Sequence, residues 1–195
     1  MQSNTIDLKV YADKGISFET YYKEVKEVAN RDEGDVIFHS YYVLNAQRMD
    51  RLQKKITLSD QQKERLSKIN RKITFLIITE GWCGDAAQSL PVVQKIVEAS
   101  DNIDAKIVYR DENPNLMDAY LTNGGKSIPI IVGMDSTTGE HIFRWGPRPE
   151  FGNALLKQFK AEEITKEEFQ LQLQKAYNKD KGAAIVDELL SKLES

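Results

Sequence analysis

The stretch from Lys72 to Val97, KITFLIITEGWCGDAAQSLPVVQKIV, constrains this chain more than any other, because its hydrophobic periodicity changes midway. Ile73 to Thr79 is a near-continuous apolar run rich in β-branched residues, the pattern of a strand buried on both faces of a sheet. Gly81 interrupts it, and beyond it Leu90, Val93, Ile96 and Val97 fall at helical spacing. A central strand therefore hands over to a helix close to Cys83, the single cysteine in 195 residues. Backbone N–H groups at a helix start lack intrahelical partners, and together with the helix dipole they favour a thiolate. Glu80, Asp85 and burial against Trp82 act in the opposite direction. The residues alone leave open both a working thiol and a structurally retained one.

One cysteine forms no intrachain disulfide, which fits a reducing compartment. The opening residues, MQSNTIDLKVYADKG, carry no basic segment followed by an apolar one. No stretch approaches the roughly 18 apolar residues of a membrane span, so a cytoplasmic location without a membrane partner is expected. A formal net charge of -3 gives no general attraction to nucleic acid. His39 and His141 with one cysteine make no zinc-ligand spacing, and Gly124-Gly125 lacks the surroundings of a phosphate loop. Neither a metal nor a cofactor is called for. The chain is long enough for one elaborated domain and too short for two large ones.

Before the central strand the chain is helical. Phe18, Tyr21, Tyr22, Val25 and Val28 predict an amphipathic helix over 17–31 with Ser17 as its cap. Ser40 is the expected cap of a second, running to about Ile56, and Ser59 with Gln62 forms a capping box for a third. Residues 47–72 carry nine lysines and arginines against Asp50, Asp60 and Glu64, a basic surface able to dock an acidic partner. Beyond Val97 the spacing predicts a strand over 104–110, a short helix over 116–121, and strands over 128–132 and 141–145. The last two are joined by the turn-rich DSTTGE and are expected to pair antiparallel. A helix over 149–162 follows, then one opening on the Thr165/Glu168 capping box, and after Lys181-Gly182 a last one buried at Val186, Leu189, Leu190 and Leu193.

This order, with Trp82-Cys83-Gly84 at a helix start, Pro91 eight residues after the cysteine and Pro129 after Ile128 at the start of a strand, resembles the thioredoxin family over roughly residues 72–162. The resemblance implies a thioredoxin-like three-layer α/β fold with a mixed central sheet, wrapped by a helical N-terminal extension over 1–71 and C-terminal helices over 163–195. It also implies that Pro91 kinks its helix and that Ile128-Pro129 is a cis peptide beside the thiol. Trp82, Gly84, Asp85 and Ala86 become the active-site motif, and Ile128 with Pro129 the substrate groove. The Trp-Gly-Pro-Arg-Pro end holding Arg148, and the helical pattern Tyr42, Asn45, Arg48, Met49, resemble a bacterial thioredoxin-like group of undefined substrate with a helical N-terminal extension. Arg148 is thereby a candidate substrate contact, set against the plainer reading of a surface charge in a turn.

The departures matter as much. Ala86 stands where family oxidoreductases carry their second cysteine, and Ile77 where they carry a buried acid. With no resolving thiol in the chain, attack by Cys83 on a disulfide stops at a mixed disulfide until an outside thiol releases it. Two functions follow. One is a monothiol redox protein in which Cys83 attacks protein or low-molecular-weight disulfides and an external thiol resolves them. The other is a redox-inactive thioredoxin fold kept as a binding module.

Overall fold

The computed structural model describes residues 6–195. Helix α1 (Leu8–Ala12) leads to α2 (Phe18–Ala29), where the Ser17 hydroxyl accepts from the Thr20 N–H at 3.1 Å, and then to α3 (His39–Lys55) and α4 (Asp60–Ser67). The sheet and its crossovers follow as β1 (Ile73–Thr79), α5 (Gly84–Glu98), β2 (Ile103–Tyr109), α6 (Pro114–Ala119), β3 (Ile130–Asp135) and β4 (His141–Trp145). Three helices close the chain: α7 (Glu150–Lys160), α8 (Lys166–Asp180) and α9 (Ala183–Leu193). The four strands lie in the order β2-β1-β3-β4, with β1 parallel to β2, β3 antiparallel to β1, and β4 antiparallel to β3. This is the mixed thioredoxin-like sheet expected from the chain order, with helices on both sides.

The apolar run places β1 in the centre. All seven of its residues are buried, which requires cover on both faces, and an Ile, Leu or Phe fully removed from water contributes about 1.5–3 kcal/mol. Helices α1 and α2 pack near β1 and β2, while α5 lies between β2, α3 and α9. Val186, Leu189, Leu190 and Leu193 of α9 are all buried, as their spacing predicts. Both capping boxes, Ser59/Gln62 and Thr165/Glu168, form as written in the sequence.

Several boundaries differ from the sequence reading. Ser40 does not cap α3, which begins two residues earlier than that cap implies, behind Phe38, a non-glycine residue at φ 64 with no side-chain cap bond. Helix α6 starts two residues earlier than predicted because Pro114, whose fixed φ suits a first turn, opens it. Ile128 and Pro129 precede β3 rather than belonging to it. Pro91 lies inside α5 as expected, and the Ile128-Pro129 peptide is cis; so is Gly146-Pro147, which the sequence did not announce.

Candidate functional site around Cys83

Cys83 is the N-cap of α5. Its sulfur accepts from the Ala86 N–H at 3.5 Å, and its S–H donates to the Ile128 carbonyl at 3.4 Å, beside the cis-proline. The fold therefore brings Cys83, Ala86, Ile128 and Pro129 into one place, although they are spread over 47 positions of sequence. The competition over the thiol has a clear outcome. Cys83 is only 6% exposed, and burial, followed by the Asp85 charge, pushes the thiol up to about 12. The N–H groups of Ala86 and Asp85 and the Arg148 charge pull the other way and lose. At neutral pH the group is a protonated thiol.

Above the sulfur opens a cleft of about 610 Å³ whose walls come from α3, the start of α5, the segment before β3, the turn after β4, and α8. Trp82 forms one side, with the Arg110 guanidinium 5.0 Å from its ring centroid and Phe38 at 5.5 Å. Asp85 does not face solvent. Its side chain is 11% exposed, one oxygen pairs with Arg148 Nη2 at 2.6 Å, and the other accepts from the Tyr177 hydroxyl at 3.0 Å. Even so, burial outweighs the cation and holds the carboxyl above its ordinary range. Arg148, 19% exposed, is thus a wall of the cleft rather than a turn charge.

Arg48 reaches the same cleft from α3, donating through Nη1 to Asn45 Oδ1 at 3.2 Å and through Nη2 to Gln174 Oε1 at 3.0 Å. Gln174 also accepts from Gln88 Nε2 at 3.2 Å, so α8 is tied to α3 and α5 across the opening. Asn45 is fully buried and donates to the Gly81 carbonyl at 3.0 Å, fixing α3 against the loop that carries Cys83. Gly81 has to be a glycine there, since a Cβ would run into the Tyr42 ring. Gly146, at φ 106, likewise lets the chain leading to Arg148 pass against the Pro129 carbonyl, where a side chain would collide.

Sequence reasoning assembled Cys83, its neighbours and the proline, and it flagged Arg148. It did not place Arg48, Gln174 and Tyr177 in the cleft. The Tyr42-Asn45-Arg48-Met49 pattern was the available signal for Arg48. Nothing in the mostly polar α8 marks Gln174 and Tyr177 as site residues. Within the basic stretch over 47–72, Arg48 turns into the cleft, Arg51 donates to Asn178, and Arg65 pairs with Glu194 at 2.8 Å and Asp187 at 3.4 Å. Lys63 and Lys68 pair within α4 with Asp60 and Glu64. Of the nine cations, Lys63, Arg65 and Lys68 thus have carboxylate partners. Glu80 is buried but lines a separate pocket with Tyr42 and Gly81, its carboxylate accepting from the Asp111 N–H at 2.9 Å. Among the described residues no group of His, Cys, Asp and Glu is placed to hold a metal, and no helix is long and apolar enough to cross a membrane.

The sequence pattern described as Thioredoxin matches residues 35–162, more than half of the chain. The chain belongs to the thioredoxin family. The family match begins at residue 35, ahead of the sheet, and so takes in α3 with Asn45 and Arg48. Among solved structures, the 1.5 Å crystal structure of PA1234, a protein of unknown function from Pseudomonas aeruginosa, superposes with a TM-score of 0.65 at 17% identity, covering 97% of this chain and 98% of that one. An HIV 4E10 epitope scaffold superposes with a TM-score of 0.66 at 18% identity over the same shares. At such identities these two likenesses speak for the fold alone. No curated protein matches the sequence significantly.

Proposed function

We propose that this protein is a thioredoxin-fold binding protein, in which the groove beside the cis-proline serves as a ligand cleft around a thiol that does not turn over. The observation that carries this reading is the setting of Cys83: buried, which pushes its thiol up to about 12, and with Ala86 in place of a resolving cysteine. Disulfide exchange proceeds through the thiolate, so burial that raises the thiol to about 12 and the lack of a resolving cysteine both disfavour it. The cleft persists around it, walled by Trp82, Arg48, Arg148, Tyr177 and Gln174.

Monothiol exchange with an external resolving thiol is the second reading. Its support is the contact between Sγ and the Ile128 carbonyl, together with two α5 N–H groups directed at the sulfur. Mixed-disulfide trapping separates the two. The reduced protein is incubated at pH 7.5 with an excess of a small disulfide and its intact mass followed over time. Binding without turnover predicts that Cys83 stays unmodified while a free cysteine peptide is consumed. Rapid formation of an adduct that an added thiol reverses would instead establish the exchange reaction.

A further inference from the structure

Charges taken out of water are normally paired, because an uncompensated one is costly. The cleft is lined by the cations Arg48, Arg110, Lys126 and Arg148 and by one acid, Asp85. Arg110 pairs with Asp111 at 2.8 Å, Lys126 with Asp118 at 3.0 Å, and Arg148 with Asp85 at 2.6 Å. Arg48 is different. It is half-buried, its two terminal nitrogens bond only to the neutral Asn45 and Gln174, and its Nε is buried with no acceptor. Among the described residues no carboxylate forms an ion pair with it; the oxygens of nearby Asp85 are already engaged by Arg148 and Tyr177.

The position of Arg48 sharpens the imbalance. Its Nη1 lies 3.2 Å from where a Cβ on Gly84 would sit, against the first residue of the fifteen-residue helix α5. The N-terminus of a helix is its positive end, so a cation there is opposed rather than stabilised, whereas an anion is welcome. Two positive features therefore converge on one point inside a cleft, where Asp85, itself engaged by Arg148 and Tyr177, is the nearby acid. A guanidinium fork matches the oxygens of a carboxylate or a phosphate. The volume, about 610 Å³, falls within the range of small-molecule sites. Beside its charged and amide side chains the cleft offers an apolar and aromatic surface in Trp82, Tyr41, Leu44 and Leu173.

We propose that the Cys83 cleft binds a small organic anion, its carboxylate or phosphate group seated on Arg48 at the start of α5 and its apolar part against Trp82, Tyr41 and Leu44. The assignment rests on reading the cleft as a ligand site and adds the class of ligand. The test is an NMR titration of the full-length, 15N-labelled protein with benzoate and, separately, phenyl phosphate. Saturable shifts are expected at the amides of Gly84, Asp85 and Ala86 and at the Trp82 indole; the tighter probe identifies the carboxylate or the phosphate as the preferred head group. Arg48→Gln is expected to weaken that probe by about tenfold or more, and Arg48→Lys, which keeps the charge but loses the fork, by several-fold. Should the glutamine variant fail to fold, the lysine variant alone decides. The proposal is overturned if neither probe gives saturable shifts at this turn, or if the folded variants bind as tightly as the parent. An inert Cys83 with no shifts would remove the anion assignment and leave the binding reading. Shifts together with disulfide exchange would do the reverse.

Discussion

Replacing Arg148 by methionine should destabilise the protein in a pH-dependent way. Asp85 is 11% exposed and has Arg148 at 2.6 Å as its cation and Tyr177 as its other partner, so the substitution leaves a buried carboxylate with one hydroxyl. Breaking a buried pair costs about 3–5 kcal/mol; with Arg148 itself 19% exposed, about 2–4 kcal/mol is the expected loss at neutral pH. For a chain of 195 residues that is a fall in Tm of roughly 5–15 °C. The dependence on pH follows from Asp85, whose carboxyl burial already holds above its ordinary range in the folded protein. An acid displaced upward contributes stability that is present in acid and lost as pH rises through its folded value. Losing Arg148 displaces it further upward, so the penalty should be small near pH 4 and grow towards neutrality. Urea unfolding of parent and Arg148→Met at pH 4.5 and pH 7.5 measures both quantities. Asp85→Asn combined with Arg148→Met should recover part of the loss at pH 7.5, because the amide removes the buried charge. A loss below about 0.5 kcal/mol, or one equal at the two pH values, would refute the claim that Asp85 is a buried carboxylate held by Arg148.

Two further substitutions probe the geometry around the sulfur. Asn45→Ala strips the Gly81 carbonyl of its buried donor and Arg48 of an anchor, and should cost about 1–3 kcal/mol in chemical unfolding; an unchanged midpoint would mean that α3 is not fastened to this loop. Ala86→Cys places a second thiol in the first turn of α5, where the Ala86 N–H already reaches Sγ at 3.5 Å. Mild oxidation should then take the free-thiol count from two to none, and two thiols persisting in the folded variant would contradict the placement of Cys83 at the helix start.

The legible parts of this chain were those with a local cause. The run Ile73 to Thr79 announced a strand covered on both faces, and Gly81 with the change of period announced the helix start at Cys83, because each signal lies within a few residues of what it specifies; the cis peptide before Pro129 was implied by the family resemblance. Helix α1 was illegible since five residues with only Leu8 and Ala12 buried show no period. The start of α3 was misplaced because Phe38 takes a left-handed conformation that its residue type does not suggest, while Ser40 looks like a cap. The cleft was the least legible feature. Arg48 and Gln174 are 126 positions apart, and each looks like a solvated residue on a polar helix face until the fold brings them to a hydrogen bond. The conflict of signs around Cys83 likewise needed coordinates, because only its burial decides between helix terminus and neighbouring carboxylate.

The central claim is that Cys83 is a protonated, enclosed thiol, and its alkylation rate as a function of pH tests this most directly. With the thiol pushed up to about 12, against an ordinary 9.0, about one molecule in 100,000 carries the thiolate at pH 7. The rate should therefore be about 1000-fold or more below that of a free thiol and climb about tenfold per pH unit to pH 10 without levelling. A rate that levels off with a midpoint below pH 8 would contradict the account and make Cys83 a nucleophile.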